Sequence, residues 1–147
     1  MARGISVLVV GASLEMSIPW LAGTGFRANL CPVASCALRM LNNQRYQVVL
    51  IGLDVPEMKG MKFVNYVRER FPEVALVVVT KPDDLRSAML AMISGASGYI
   101  QTPLRPENVC SSLKSALKRK RLESALSIFI RRRLSTCAAP FAKRRKT

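Results

Sequence analysis

Apolar side chains fall in short runs along this chain: Ile5 to Val10, Tyr46 to Ile51, Ala75 to Val79 and Gly98 to Ile100, with a weaker candidate at Arg27 to Cys31. Each has the length of a strand, and those rich in Val and Ile are apolar at successive positions, as in a strand covered on both faces. Between the runs the period lengthens to that of a helix. Ser13 to Ala22 reads as a helix that Pro19 kinks or shortens. Val33 to Asn42 places Ala34, Ala37, Leu38 and Leu41 on one face, and Met61 to Phe71 does the same with Phe63, Val64, Val67 and Phe71. Leu85 to Ser94 follows, with Asp83 as its N-cap, Met89, Met92 and Ile93 turned inward and Gly95 as its stop. Pro106 opens the last helix, which runs through Val109, Leu113, Ala116 and Leu117.

Five strands alternating with five helices predict a parallel sheet with helices on both faces. Right-handed crossovers make it doubly wound. The expected fold is therefore α/β, a flavodoxin-like five-stranded parallel sheet of strand order 2-1-3-4-5. In such sheets, ligands bind beyond the carboxyl ends of the strands. That places the loop Asp54 to Lys59, which follows the third strand, at the site.

Several separated motifs occur in an order that resembles the response regulator receiver (CheY-like) family of two-component signalling. Leu8-Val9-Val10 is similar to the family's first strand, Gly25-Phe26 to the turn before the second, and Ala37-Leu38 to the second helix. Val55-Pro56-Glu57-Met58-Lys59-Gly60 resembles the loop after the third strand, and Val77-Val78-Val79-Thr80 the fourth strand with its terminal hydroxyl. The run from Gly95 to Leu104 resembles the fifth strand and the turn after it. The resemblance extends from about Ile5 to Leu122.

It implies a phosphorylation pocket, and at most of the matching positions the chemistry is missing. The acidic pair that holds Mg²⁺ in the family corresponds to Gly11 and Ala12, and the phosphate-accepting Asp to Gly52, which has no side chain to phosphorylate. The lysine that neutralises the phosphoryl group corresponds to Thr102, still followed by Pro103. Thr80 survives, with Tyr99 at the position of the aromatic switch. Asp54 returns to the strand face of Gly52 by the period of two, one loop step further out, and is the fallback phosphoacceptor. Together the losses remove metal, nucleophile and counter-charge, so the resemblance is to a degenerate receiver lacking the phosphoacceptor Asp.

Composition bounds the other chemistries. At 147 residues, half of them apolar, the chain fits one domain with a sizeable core. It has no histidine, the commonest general base, and no Gly-x-Ser-x-Gly elbow or phosphate-cradling P-loop. Cys31, Cys36, Cys110 and Cys137 do not have zinc spacing, and they read as buried thiols in a reducing cytoplasm. No metal and no cofactor is expected. Arg3 and the run from Ile5 to Ala12 resemble the start of a signal peptide, but the run is short and is read as the first strand. No stretch approaches the ~20 apolar residues of a membrane span.

Charge is concentrated at one end. Residues 1–115 hold 12 basic and 8 acidic side chains, whereas residues 116–147 hold 11 basic ones against Glu123 alone. The chain divides into a receiver-like domain, residues 1–122, and a basic C-terminal extension, residues 123–147, partly helical and then disordered. Leu122, Ala125, Leu126, Phe129 and Ile130 continue a helix to about Leu134 with an apolar stripe, for which a second copy of the chain is the simplest partner. Lys118, Arg119, Lys120 and Arg121, then Arg131, Arg132 and Arg133, then Lys143, Arg144, Arg145 and Lys146 form three blocks suited to nucleic-acid phosphates or an acidic membrane. No helix-turn-helix fits in the residues left.

The expected function is that of a non-enzymatic cytoplasmic pseudo-receiver, with no small-molecule substrate. As the resemblance implies, it would meet a signalling partner through the face made by the fourth helix, fifth strand and fifth helix. Two alternatives stay open: a phosphoaccepting response regulator, and a receiver scaffold adapted to nucleic acid or membrane through its tail.

Overall fold

A computed structural model describes residues 5–52 and 60–146, with side chains to Gly52 and from Lys62 to Arg133. The strands are β1 (Ile5–Val10), β2 (Phe26–Cys31), β3 (Val48–Gly52), β4 (Ala75–Thr80) and β5 (Gly98–Gln101). They form one parallel sheet in the order β2-β1-β3-β4-β5, as expected. The helices are α1 (Ser17–Ala22), α2 (Ala34–Asn43), α3 (Gly60–Arg70), α4 (Leu85–Ile93) and α5 (Pro106–Lys146).

Successive apolar positions in the central strands feed two cores. Leu8, Val10, Val49, Ile51, Leu76 and Val78 point to one face, where α2 and α3 cover them with Ala37, Leu41, Phe63, Val64 and Val67. Val7, Val9, Leu50, Val77 and Val79 point to the other, where Leu21 of α1 and Val109, Leu113 and Leu117 of α5 close over them. Strands buried on both sides cannot alternate polar with apolar, which is why these runs were legible as continuous.

Pro19 shortens the first helix as expected. A 3-10 turn at Ala12–Leu14 comes first, α1 starts only at Ser17, and the buried Ser17 hydroxyl donates to the Leu14 carbonyl at 2.7 Å. The cap of α4 is Asp84, not Asp83: an Asp84 carboxylate oxygen accepts the Ser87 N–H at 3.2 Å. The inward residues of α4 are also corrected. Ala88 and Ala91 face the sheet, while Met89, Met92 and Ile93 face out, Ile93 with 78% of its surface exposed. Two small side chains bring this short helix close to the strands and turn its long apolar ones outward. Gly95 ends the helix with φ +115°; a Cβ there would lie 2.7 Å from Arg68 Nε.

The last helix passes the expected end near Leu134 and continues to Lys146. The helical backbone runs on through Pro140, although a proline removes one hydrogen bond from the helix ladder. Burial under α5 ends at Lys120, and every side chain from Arg121 to Arg133 is exposed.

Candidate functional site

The carboxyl ends of β3 and β4 and the turns around them enclose a cavity of about 650 Å³. Gly52, Val79 and Thr80 come from the strands, and Ser13, Leu14 and Met16 from the turn after β1. Lys81, Asp84 and Ser87 form the α4 side, and Thr102, Pro103 and Leu104 the turn after β5. Three predicted pocket residues, Gly52, Thr80 and Thr102, thus share one cavity. Gly11 is buried at the end of β1, with φ 120°, and its N–H donates to the Cys31 carbonyl at 2.8 Å. Ala12 is exposed on the adjoining turn; neither residue is part of the cavity lining. Asp54 lies outside the described residues.

Thr80 and Thr102 are tied by backbone, the Thr102 N–H donating to the Thr80 carbonyl at 2.9 Å, and the Thr102–Pro103 peptide is cis. The Thr80 hydroxyl is different. Its residue is 4% exposed, and Oγ1 has no hydrogen-bond partner among the described residues. An unpaired buried hydroxyl costs ~1–3 kcal/mol, so Thr80→Val, which keeps the shape and removes the polar atom, is expected to raise stability by about 1 kcal/mol in urea denaturation. A loss of stability would show that the hydroxyl has a partner in solution.

Among the described residues, the charged groups that line this cavity are Lys81 and Asp84, which composition alone did not single out. Asp84 could have been found only by choosing correctly between two adjacent carboxylates. Mg²⁺ takes oxygen ligands, commonly one or two carboxylates supplemented by phosphate and water. Asp84 is already engaged at the start of α4, the Ser13 hydroxyl is a weak ligand, and no group of three His, Cys, Asp or Glu gathers among the described residues. The donors among the described residues do not fit the ion.

Tyr99 does not join Thr80. It is 41% exposed and lines a second cavity, with Gln101, Arg105 and Asn108, on the outer surface of β5 and α5; only the turn at Thr102 and Pro103 borders both cavities. Leu85, Met89, Leu90 and Ile93 are exposed on α4, one of the three elements of the predicted contact face.

The basic residues at the start of the tail divide. Lys118 and Arg121 are exposed, and so are Arg131, Arg132 and Arg133, with the Arg133 guanidinium 5.6 Å from the centre of the Phe129 ring. Arg119 donates to the Ser97 carbonyl. Lys120 is only 8% exposed and faces a cavity of about 530 Å³ at the opposite end of the sheet, beside Tyr46, Phe71 and Glu73. Burial lowers its pKa, and its carboxylate partner, Glu123, is 3.9 Å away. Lys120 therefore belongs to the body and is removed from the anion-binding set, because its place on the helix turns it toward the sheet. The side chains of Lys143, Arg144, Arg145 and Lys146 lie outside the described residues.

A parallel 2-1-3-4-5 sheet with a cavity bounded by the ends of β3 and β4 and the turns after β1 and β5 defines a receiver-type domain. The sequence profile of the response regulator receiver domain matches residues 14–114, and the chain belongs to that family. It is similar to the DNA-binding response regulator MtrA of Mycobacterium tuberculosis, with 30% identity over 126 residues that cover 85% of this chain and 55% of the relative. It also resembles the DNA-binding transcriptional regulator NtrC of Proteus hauseri, at 25% identity over 57% of this chain and 18% of the relative. The chain thus spans about half the length of MtrA and less of NtrC. Among solved structures, the receiver domain protein of Methanospirillum hungatei superposes with a TM-score of 0.74 at 21% identity, covering 82% of this chain and 99% of that one. The chemotaxis regulator CheY4 of Vibrio cholerae gives 0.71 at 21% identity, covering 78% and 99%.

Proposed function

We propose that this chain is a pseudo-receiver, a cytoplasmic and non-catalytic signalling domain that works through protein contacts without being phosphorylated. The observation that carries the reading is the cavity at the strand ends. Gly52 and Thr102 stand where the family's nucleophile and lysine would be, and Gly11 and Ala12 replace its metal carboxylates. Thr80 supports it too, since its buried hydroxyl has no hydrogen-bond partner among the described residues. The contact surface in this reading is the outer side of α4, β5 and α5, supported by the exposed Leu85, Met89, Leu90, Ile93 and Tyr99.

Acetyl phosphate with Mg²⁺ is expected to leave the intact mass of the full chain unchanged, and beryllofluoride to leave its spectrum unchanged. A stoichiometric phosphoryl adduct, on Asp54 or elsewhere, would overturn the reading and restore the phosphoaccepting alternative.

A second reading, of a receiver scaffold with an anion-binding tail, is favoured by the exposure of Lys118, Arg121, Arg131, Arg132 and Arg133 on α5. The division into a body to residue 122 and an extension from 123 is part of it. Leu122, Leu126, Phe129 and Ile130 are exposed on the same overhang, which supports pairing with a second copy as a further use of the tail.

A further inference from the structure

Three sulfur atoms converge where β2 turns into α2. Cys31 closes β2 with its side chain fully buried, and Cys36 and Met40, four residues apart, share a face of α2. The Cys36 thiol lies 2.9 Å from Cys31 Sγ, and the Cys31 thiol 3.0 Å from Met40 Sδ. Both separations are shorter than the ~3.5–4.0 Å optimum of carbon–carbon contacts, although sulfur is the larger atom. As hydrogen bonds they gain little, because a thiol is a weak donor and a thioether a weak acceptor.

A thiol pair with a thioether is a donor set for a soft ion. Thiolate and thioether ligands select Cu(I). Zinc would ask for a fourth ligand from Cys, His or a carboxylate, and no group of three such residues gathers among the described ones. We propose that Cys31, Cys36 and Met40 form a three-sulfur site for one Cu(I) ion.

The surroundings fit this use. Cys36 and Met40 are half-buried and open the site to solvent, while Cys31 forms its floor. The Arg39 side chain lies on the same helix between Cys36 and Met40, and its charge favours thiolate at Cys31, against the opposing effect of burial. Binding breaks two S–H bonds and forms two copper–thiolate bonds and one dative bond from Met40 Sδ. Two protons go to solvent, and copper stays in its reduced state. The Cys-x4-Cys-x3-Met spacing lacks the paired CxxC pattern, which is why counting cysteines did not reveal it.

The test uses the full chain, reduced and kept free of oxygen, competing for Cu(I) against a bicinchoninate chelator. One Cu(I) per chain is expected to be withdrawn, with native mass showing one copper added and two protons lost. Cys36→Ala is expected to weaken binding by about 100-fold and Met40→Leu by about 10-fold, comparable to or beyond what loss of an outer partner costs a metal site. Cys110→Ala and Cys137→Ala should leave it unchanged. Met40→Leu conserves volume and keeps the test open if Cys36→Ala fails to fold, which circular dichroism would show. A chain that withdraws no Cu(I), or keeps full affinity in both variants, overturns the site. So does a reduced chain that ignores Cu(I) and forms a Cys31–Cys36 disulfide in air.

Discussion

Between about 50 and about 200 mM salt, the affinity of the full chain for duplex DNA is expected to fall by about 500-fold or more. Of the exposed tail cations among the described side chains, Arg119 is engaged with the Ser97 carbonyl, and the other five, Lys118, Arg121, Arg131, Arg132 and Arg133, can each neutralise one phosphate. Each contributes about −0.9 to the slope of log affinity against log salt, so five give about −4.5 over a fourfold change in concentration. Lys120 adds nothing because it is buried. A chain ending at Arg121 keeps only Lys118 and Arg121, and its loss over the same range should be about 12-fold. Fluorescence anisotropy with a labelled duplex checks both slopes. Binding that ignores salt would remove the anion-binding tail while leaving the pseudo-receiver reading in place. Self-association through the tail's apolar stripe would move the other way and strengthen with salt, because screening weakens repulsion between two basic helices.

Where the chain is cut decides whether that comparison is clean. Ending it at Ser115 is expected to lower the unfolding free energy by about 3–5 kcal/mol, whereas ending it at Arg121 should change it by no more than about 0.5 kcal/mol. The longer deletion removes Leu117 and Ala116 from the core beneath α5, and with them the Arg119 contact to the Ser97 carbonyl. Loss of a buried Leu side chain alone costs ~2–5 kcal/mol. The shorter deletion begins at Leu122, after the last buried residue, Lys120. Urea unfolding of the two truncated chains measures the difference; equal stability would show that α5 does not hold the body from Ala116 onward.

The elements that sequence made legible are those whose signal is local. Continuous Val and Ile runs announced β1, β3 and β4, Pro106 opened α5, and Gly95 closed α4. The misses were those that depend on what lies across the fold. Helix α4 is apolar on more than one side, so period alone could not say whether Ala88 and Ala91 or Met89 and Ile93 faced the sheet; the strands accept the small pair. Lys120 stands in an unbroken basic run, and only its angle on the helix separates it from Lys118 and Arg121. At the site, Gly52, Thr80 and Thr102 could be placed together from motif order, because each ends a strand or begins the turn after one. Lys81, Asp84 and the sulfur cluster could not, since they depend on side-chain direction.

The long helix has a mechanical consequence. Strands β3, β4 and β5 grip its first four turns through Val109, Leu113 and Leu117, while residues 121–133 overhang by about 20 Å at 1.5 Å per residue. It is a lever with its fulcrum near Lys120. A partner that seizes Arg131 to Arg133 applies torque to the arm inside the body, whose end at Pro106 follows closely on the turn holding Thr102 and Pro103. The handle and the strand-end cavity occupy opposite poles, so a pull on one is delivered to the other by a single stiff rod.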